Sequence, residues 1–115
     1  MKGKSILIIA LLIASPALGE TGKASWYGGG EKLNQYTASG QEFNPEDLTC
    51  ASYQWPMGTR LRVTNQANNK TVTVIINDLG PAKRLNRMID LTRRAFSMIA
   101  DLRRGVITVK VEVIG

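Results

Sequence analysis

The sequence predicts a small, mainly β domain closed into a barrel, with one short α-helix. Three observations carry this. Apolar residues alternate or run on at strand length in Lys23–Tyr27, Arg60–Thr64, Thr71–Ile76, Arg87–Leu91 and Val106–Val113. Only the stretch after Thr92 combines helical spacing with a capping residue. Residues 20–115 number 96 once an N-terminal leader is set aside, which is room for one domain. Several short strands in so little chain shed their exposed edges best by closing on themselves.

The leader is read first. Lys2 and Lys4 precede the unbroken apolar run Ile6–Ala14, Ser15 and Pro16 break it, and Ala17-Leu18-Gly19 offers small residues for cleavage. This is the layout of a signal peptide over residues 1–19. Nine apolar residues fall short of the roughly 20 that a membrane-spanning helix needs, so no stable membrane anchor is expected. Removing Lys2 and Lys4 lowers the net charge from +6 to +4. A mildly basic exported domain suits an anionic polymer such as a bacterial cell wall better than intracellular nucleic acid.

Along the domain, Lys23–Tyr27 is a strand stopped by Gly28-Gly29-Gly30. Trp26 and Tyr27 alternate across it, so one is expected in the core, and Tyr27 either stacks on a ligand ring or packs beneath the glycine loop. Asn44-Pro45-Glu46-Asp47 has helix-start chemistry but room for one turn only. Arg60–Thr64 and Thr71–Ile76 form a hairpin across the turn-rich residues 65–69. Thr92 caps a helix running to about Leu102, with Ala95, Phe96, Ile99 and Leu102 on one face. Gly105 closes that region and Val106–Val113 is the last strand.

With no histidine and one cysteine, His-based triads, His-ligated metals, Cys–His pairs and an intramolecular disulfide are excluded. Cys50, within Leu48-Thr49-Cys50-Ala51, is expected as a small buried side chain. Acid–base chemistry falls to carboxylates. Glu20, Glu46, Asp47, Asp101 and Glu112 read as structural, and Asp90 as a residue orienting the turn into the helix, which leaves Glu31, Glu42 and Asp78. Asp78 stands directly after an apolar strand and before Gly80-Pro81, where it either bonds backbone amides within its own turn, a common use of Asp, or is held by a stiff turn with its carboxylate at a barrel mouth. Lys83, Arg84 and Arg87 follow it and read by default as a solvated basic surface, or else as groups that hold an anionic ligand.

The motifs Gly22-Lys23-Ala24-Ser25-Trp26-Tyr27-Gly28, Thr37-Ala38-Ser39-Gly40-Gln41-Glu42-Phe43, Leu48-Thr49-Cys50-Ala51, Pro56-Met57-Gly58-Thr59, Val63-Thr64-Asn65, Asn77-Asp78-Leu79-Gly80-Pro81 and Ile89-Asp90-Leu91-Thr92 occur in that order. In sequence and spacing they resemble the rare lipoprotein A (RlpA-like) family through residues 20–115. The resemblance implies a six-stranded double-psi β-barrel and lytic transglycosylase action on peptidoglycan glycan strands in the periplasm or cell wall. It implies no cofactor and no metal. The family's catalytic Asp falls on Asp78, and its Glu falls on Gln41, with Glu42 next door as the expected partner acid. Ser52 stands where the family often has His, and Leu79 where it often has Arg. Tyr27, Thr37, Gln41, Ser52 and Arg84 are the expected substrate-binding residues. The alternative reading is an expansin-like module that binds or loosens the wall without catalysis.

Overall fold

A computed structural model describes residues 19–30, 33–81 and 86–115. The leader, apart from Gly19, together with Glu31, Lys83 and Arg84, lies outside the described residues. Six strands close into a barrel: β1 (Glu20–Tyr27), β2 (Thr49–Ala51), β3 (Arg60–Asn65), β4 (Thr71–Asp78), β5 (Ile89–Thr92) and β6 (Val106–Val113). Their order around the barrel is β1-β5-β2-β4-β3-β6. The β1–β5 and β2–β4 pairs are parallel and the other four neighbours antiparallel.

The hairpin of β3 and β4 forms because its apolar residues recur every second position. Leu61 and Val63 face inward opposite Val74 and Val72, and burial of such side chains stabilises by about 1.5–3 kcal/mol each. Its turn is closed by Asn65 N–H to the Lys70 carbonyl at 2.9 Å and by Asn69 in the left-handed region, φ 63°. Asparagine tolerates that conformation. β1 and β6 then complete the wall, with Ala24 opposite Ile107 and Gly22 opposite Val109.

β2 has only three residues, too few for an alternation to be read, and the sequence did not predict it as a strand. It is held from both sides, by β4 and β5. Leu61, Ile76, Ile89, Leu91, Phe96 and Ile99 form the centre of the core, and Cys50 lies among them as expected.

The helix is shorter than its periodicity predicts. α1 covers Arg93–Ser97, capped by the Thr92 side chain, which accepts from the Ala95 N–H at 3.3 Å. The chain then turns, and Asp101 caps a separate 3-10 turn, Leu102–Arg104. After Ala100, whose N–H still bonds the Phe96 carbonyl, side chains replace the helical pattern: Asn65 Nδ2 and Asn68 Nδ2 donate to the Ile99 carbonyl at 2.7 and 3.0 Å, and Asp101 takes the Arg103 N–H at 2.9 Å. Ala95, Phe96 and Ile99 remain buried, and Leu102 packs at the core's margin.

Candidate active site

Asp78 ends β4, and its position is set by a shift in strand register. Cys50 lies opposite Ile76 on one side and Leu91 on the other, all three in the core. The β2–β4 register then shifts, so that Ala51 faces Asp78, not Asn77. Such irregularities re-aim a side chain at the end of a ladder. Asp78 Oδ1 accepts two backbone N–H groups, from Ala38 at 3.0 Å and Leu79 at 2.9 Å. The carboxylate is thereby fixed in direction while the residue stays half-exposed.

The Ala38 donor comes from a loop that crosses the end of β4. Thr37 N–H bonds the Gln41 carbonyl at 2.8 Å, and Gly40 N–H returns to the Thr37 carbonyl at 2.9 Å. Ser39 N–H reaches the Asn77 carbonyl at 3.1 Å, which docks this turn on the strand. Gln41 Oε1 adds a second tie by accepting from Asn77 Nδ2 at 3.1 Å. Gln41 thus steadies the loop that supplies the Ala38 N–H to Asp78.

A cavity of about 580 Å³ opens on Asp78. Tyr27, Thr37, Ala51 and Asp90 line it, while Tyr36 and Tyr53 stand at its rim, 57% and 56% exposed. Of the residues expected from sequence, Asp78, Tyr27 and Thr37 are brought together here. Glu42 lines an adjoining groove with Gly28, Gly30 and Phe43, and not the Asp78 cavity. Ser52 is fully buried, its hydroxyl donating to the Met88 carbonyl at 3.2 Å while its backbone N–H bonds the Asp78 carbonyl at 3.1 Å. Its place is behind the Asp78 backbone. Arg87 borders an adjoining hollow with Gln54 and Met88, which shares Tyr53, Gly80 and Pro81 with the Asp78 cavity.

Tyr27 is 8% exposed, with its ring stacked on Phe43 at 5.0 Å. Between the two alternatives left by the sequence, the packing position under the glycine loop is the one its ring occupies. Gly28 permits this, because at φ 97° a Cβ there would meet Pro45 at 2.8 Å. The Tyr27 hydroxyl is buried with no hydrogen-bond partner among the described residues. Burial first, then the charges of Asp78 and Asp90, push its ionisation well above the usual phenol range. It is a neutral hydroxyl at any physiological pH.

Asp90 was expected to orient the turn into the helix. It stands instead in mid-strand, accepts from Ser25 Oγ at 3.0 Å and lines the Asp78 cavity. The available signal was a lone acid inside the apolar tetrad Ile89-Asp90-Leu91-Thr92. A second cavity, about 420 Å³ between Lys23, Asn68, Arg104 and Thr108, shares no residue with this one. There Lys23 Nζ donates to Thr108 Oγ1 at 2.8 Å. No cluster of residues suited to a metal occurs among the described residues.

A model of the lytic transglycolase family matches residues 19–111. The endolytic peptidoglycan transglycosylase RlpA of Campylobacter jejuni is 46% identical over 101 residues, covering 86% of this chain and 36% of that protein. The RlpA of Rickettsia bellii is 44% identical over 95 residues, covering 81% of this chain and 41% of that one. The chain therefore spans less than half the length of these relatives. An expansin of Clavibacter michiganensis shares the fold with a TM-score of 0.63 at 21% identity, over 83% of this chain and 50% of that one.

Proposed function

This chain belongs to the lytic transglycolase family of double-psi β-barrels, and from that premise we propose that it cleaves peptidoglycan glycan strands outside the cytoplasm. The bond cut joins N-acetylmuramic acid to N-acetylglucosamine. A carboxyl group protonates the glycosidic oxygen as its bond to the anomeric carbon breaks, the muramic C6 hydroxyl then bonds that carbon and gives its proton to a carboxylate, and a 1,6-anhydro end forms without water. Such cleavage is served by two carboxyl groups flanking the bond. Asp78 is one of them.

The observation that carries this reading is the hold on Asp78. Two backbone N–H groups fix one of its oxygens on the wall of a cavity large enough for a sugar ring. Thr37 shares a hydrogen bond with Ser39 and donates to the Gln41 carbonyl at 3.2 Å, so its hydroxyl braces the loop above the carboxylate. Tyr36 and Tyr53 offer exposed ring faces at the cavity rim, which suits the apolar faces of sugars. Residues 1–19 as a cleaved leader would deliver the domain to its substrate, and among the described residues no helix is long and apolar enough to cross a membrane.

The test is direct. Residues 20–115 are incubated with purified sacculi, and the soluble products are analysed by mass spectrometry for 1,6-anhydro muropeptides. Release by the wild type, lost by at least about 100-fold in Asp78→Asn, is the expected result. Retention on sacculi with no anhydro product would refute the enzyme and favour a non-catalytic wall-binding module. Full activity in Asp78→Asn would remove Asp78 from the reaction.

A further inference from the structure

The Asp78 cavity does not end at Pro81. The hollow that adjoins it, about 220 Å³, shares Tyr53, Gly80 and Pro81 with it and is completed by Gln54, Arg87 and Met88. Pockets that enclose a whole ligand run to about 300–1,000 Å³. The main cavity, at about 580 Å³, has that room and the hollow does not. What the smaller space can take is a branch of a ligand whose body sits beside Asp78.

The walls of the hollow are fixed by hydrogen bonds. Met88 N–H bonds the Lys23 carbonyl at 2.8 Å, and the Met88 carbonyl accepts from the Ser52 hydroxyl at 3.2 Å, so the backbone next to Arg87 is pinned between β1 and the segment after β2. Gln54 is held too, its N–H by Ser52 Oγ at 3.1 Å and its Nε2 by the Glu20 carboxylate at 2.6 Å. Among the described residues Arg87 is the only charged group lining this hollow. It is half-buried, and its guanidinium has no ion-pair partner among the described residues. Glu20 and Lys23 lie farther along, in a second hollow that also borders Arg87, and there their charges offset each other. An arginine fixed at its backbone and unpaired at its head suits a carboxylate, which it meets with two parallel hydrogen bonds. Met88 and Pro81 add apolar surface beside it.

We propose that this hollow holds the acyl branch of muramic acid, with Arg87 on a carboxylate of that branch. The inference rests on the peptidoglycan reading and adds the feature by which the chain tells muramic acid from N-acetylglucosamine. The two sugars differ in the lactyl ether on C3 of muramic acid, a small group with one methyl and one carboxyl. Where the stem peptide is absent, that carboxyl is free. Where the stem is present, the carboxylate belongs to the peptide, which the second hollow leaves room to accommodate. Arg87 serves the same chemistry in both cases. It binds and takes no part in proton transfer.

Retention on three insoluble polymers tests the site: intact sacculi, sacculi stripped of stem peptides by an amidase, and chitin, whose N-acetylglucosamine has no carboxyl. Every protein carries Asp78→Asn, so that binding is read without turnover. Adding Arg87→Gln should weaken binding to at least one sacculus preparation by about 5-fold or more. A loss on stripped sacculi assigns the lactyl carboxyl, and a loss on intact sacculi alone assigns the stem peptide. Arg87→Lys keeps the charge and should lose less than Arg87→Gln. Arg62, exposed on β3 and outside these hollows, controls for net charge, and Arg62→Gln should bind as its parent does. Arg87→Gln should also melt level with its parent, since no partner is lost.

The site is overturned by equal losses in the two Gln variants, by a loss on chitin as large as on sacculi, or by no loss on either sacculus preparation. A melting point well below the parent's assigns Arg87 to the fold and overturns it as well. None of these results touches the cleavage reaction, which is read from the anhydro products of the wild type. A parent that is not retained on either sacculus preparation overturns the site and the peptidoglycan reading together.

Discussion

A hydroxyl buried without a partner is costly, by about 1–3 kcal/mol, and Tyr27 carries one beside two carboxylates. Its ring is held by Phe43, so the phenol ring supplies packing, and among the described residues the oxygen makes no hydrogen bond. Tyr27→Phe should therefore unfold in urea at the wild-type midpoint or slightly above it. A clear fall in the midpoint would assign the hydroxyl a bond within the fold. Asp78 was legible because it sits where an apolar strand meets Gly80-Pro81, a place where an acid serves no core. Asp90 was not, because an acid beside Thr92 at the start of a helix reads equally well as a turn residue. Only its pairing with Ala51 shows which wall it joins.

At the scale of elements, β3, β4 and β6 were readable because each alternates over six or more residues. α1 was overextended, since spacing records which residues face the core and not which carbonyls are already bonded. Asp101 marks where the second turn restarts. Its side chain accepts from the Arg103 N–H at 2.9 Å and pairs with the Arg103 guanidinium at 2.7 Å. Hydrogen bonds from the Arg103 side chain, then its backbone, hold the Asp101 carboxyl down at about 2. A depressed carboxyl stabilises the fold above its ordinary value near 4. That contribution is lost as the pH falls from about 4 to about 2. Asp101→Asn should thus melt slightly below wild type at pH 7 and level with it at pH 2, measured by thermal unfolding. The pair is exposed, so the difference is small. An equal gap at both pH values would mean that the carboxylate's charge plays no part.

Among the described residues the sheet is closed: β1 pairs with β6, and each of the six strands has a neighbour on both sides. Cys50 reports on that closure, since it is fully buried between β4 and β5 and burial pushes its thiol up. A thiol reagent should label it in native buffer no faster than the barrel opens, with the rate rising steeply in urea. Immediate labelling in buffer would show that β2 detaches on its own. The sequence by itself determined the inventory: a β barrel with little helix, no histidine or disulfide chemistry, and Asp78 at a strand end. Those follow from composition and from alternation, which depend on near neighbours in the chain. The tertiary structure decided which acids stand together. Asp78 and Asp90 are brought into one row by β2, a strand of three residues. Hydrogen bonding between strands distant in sequence, together with a one-residue shift in register, sets that row, and neither leaves a periodic mark in the sequence.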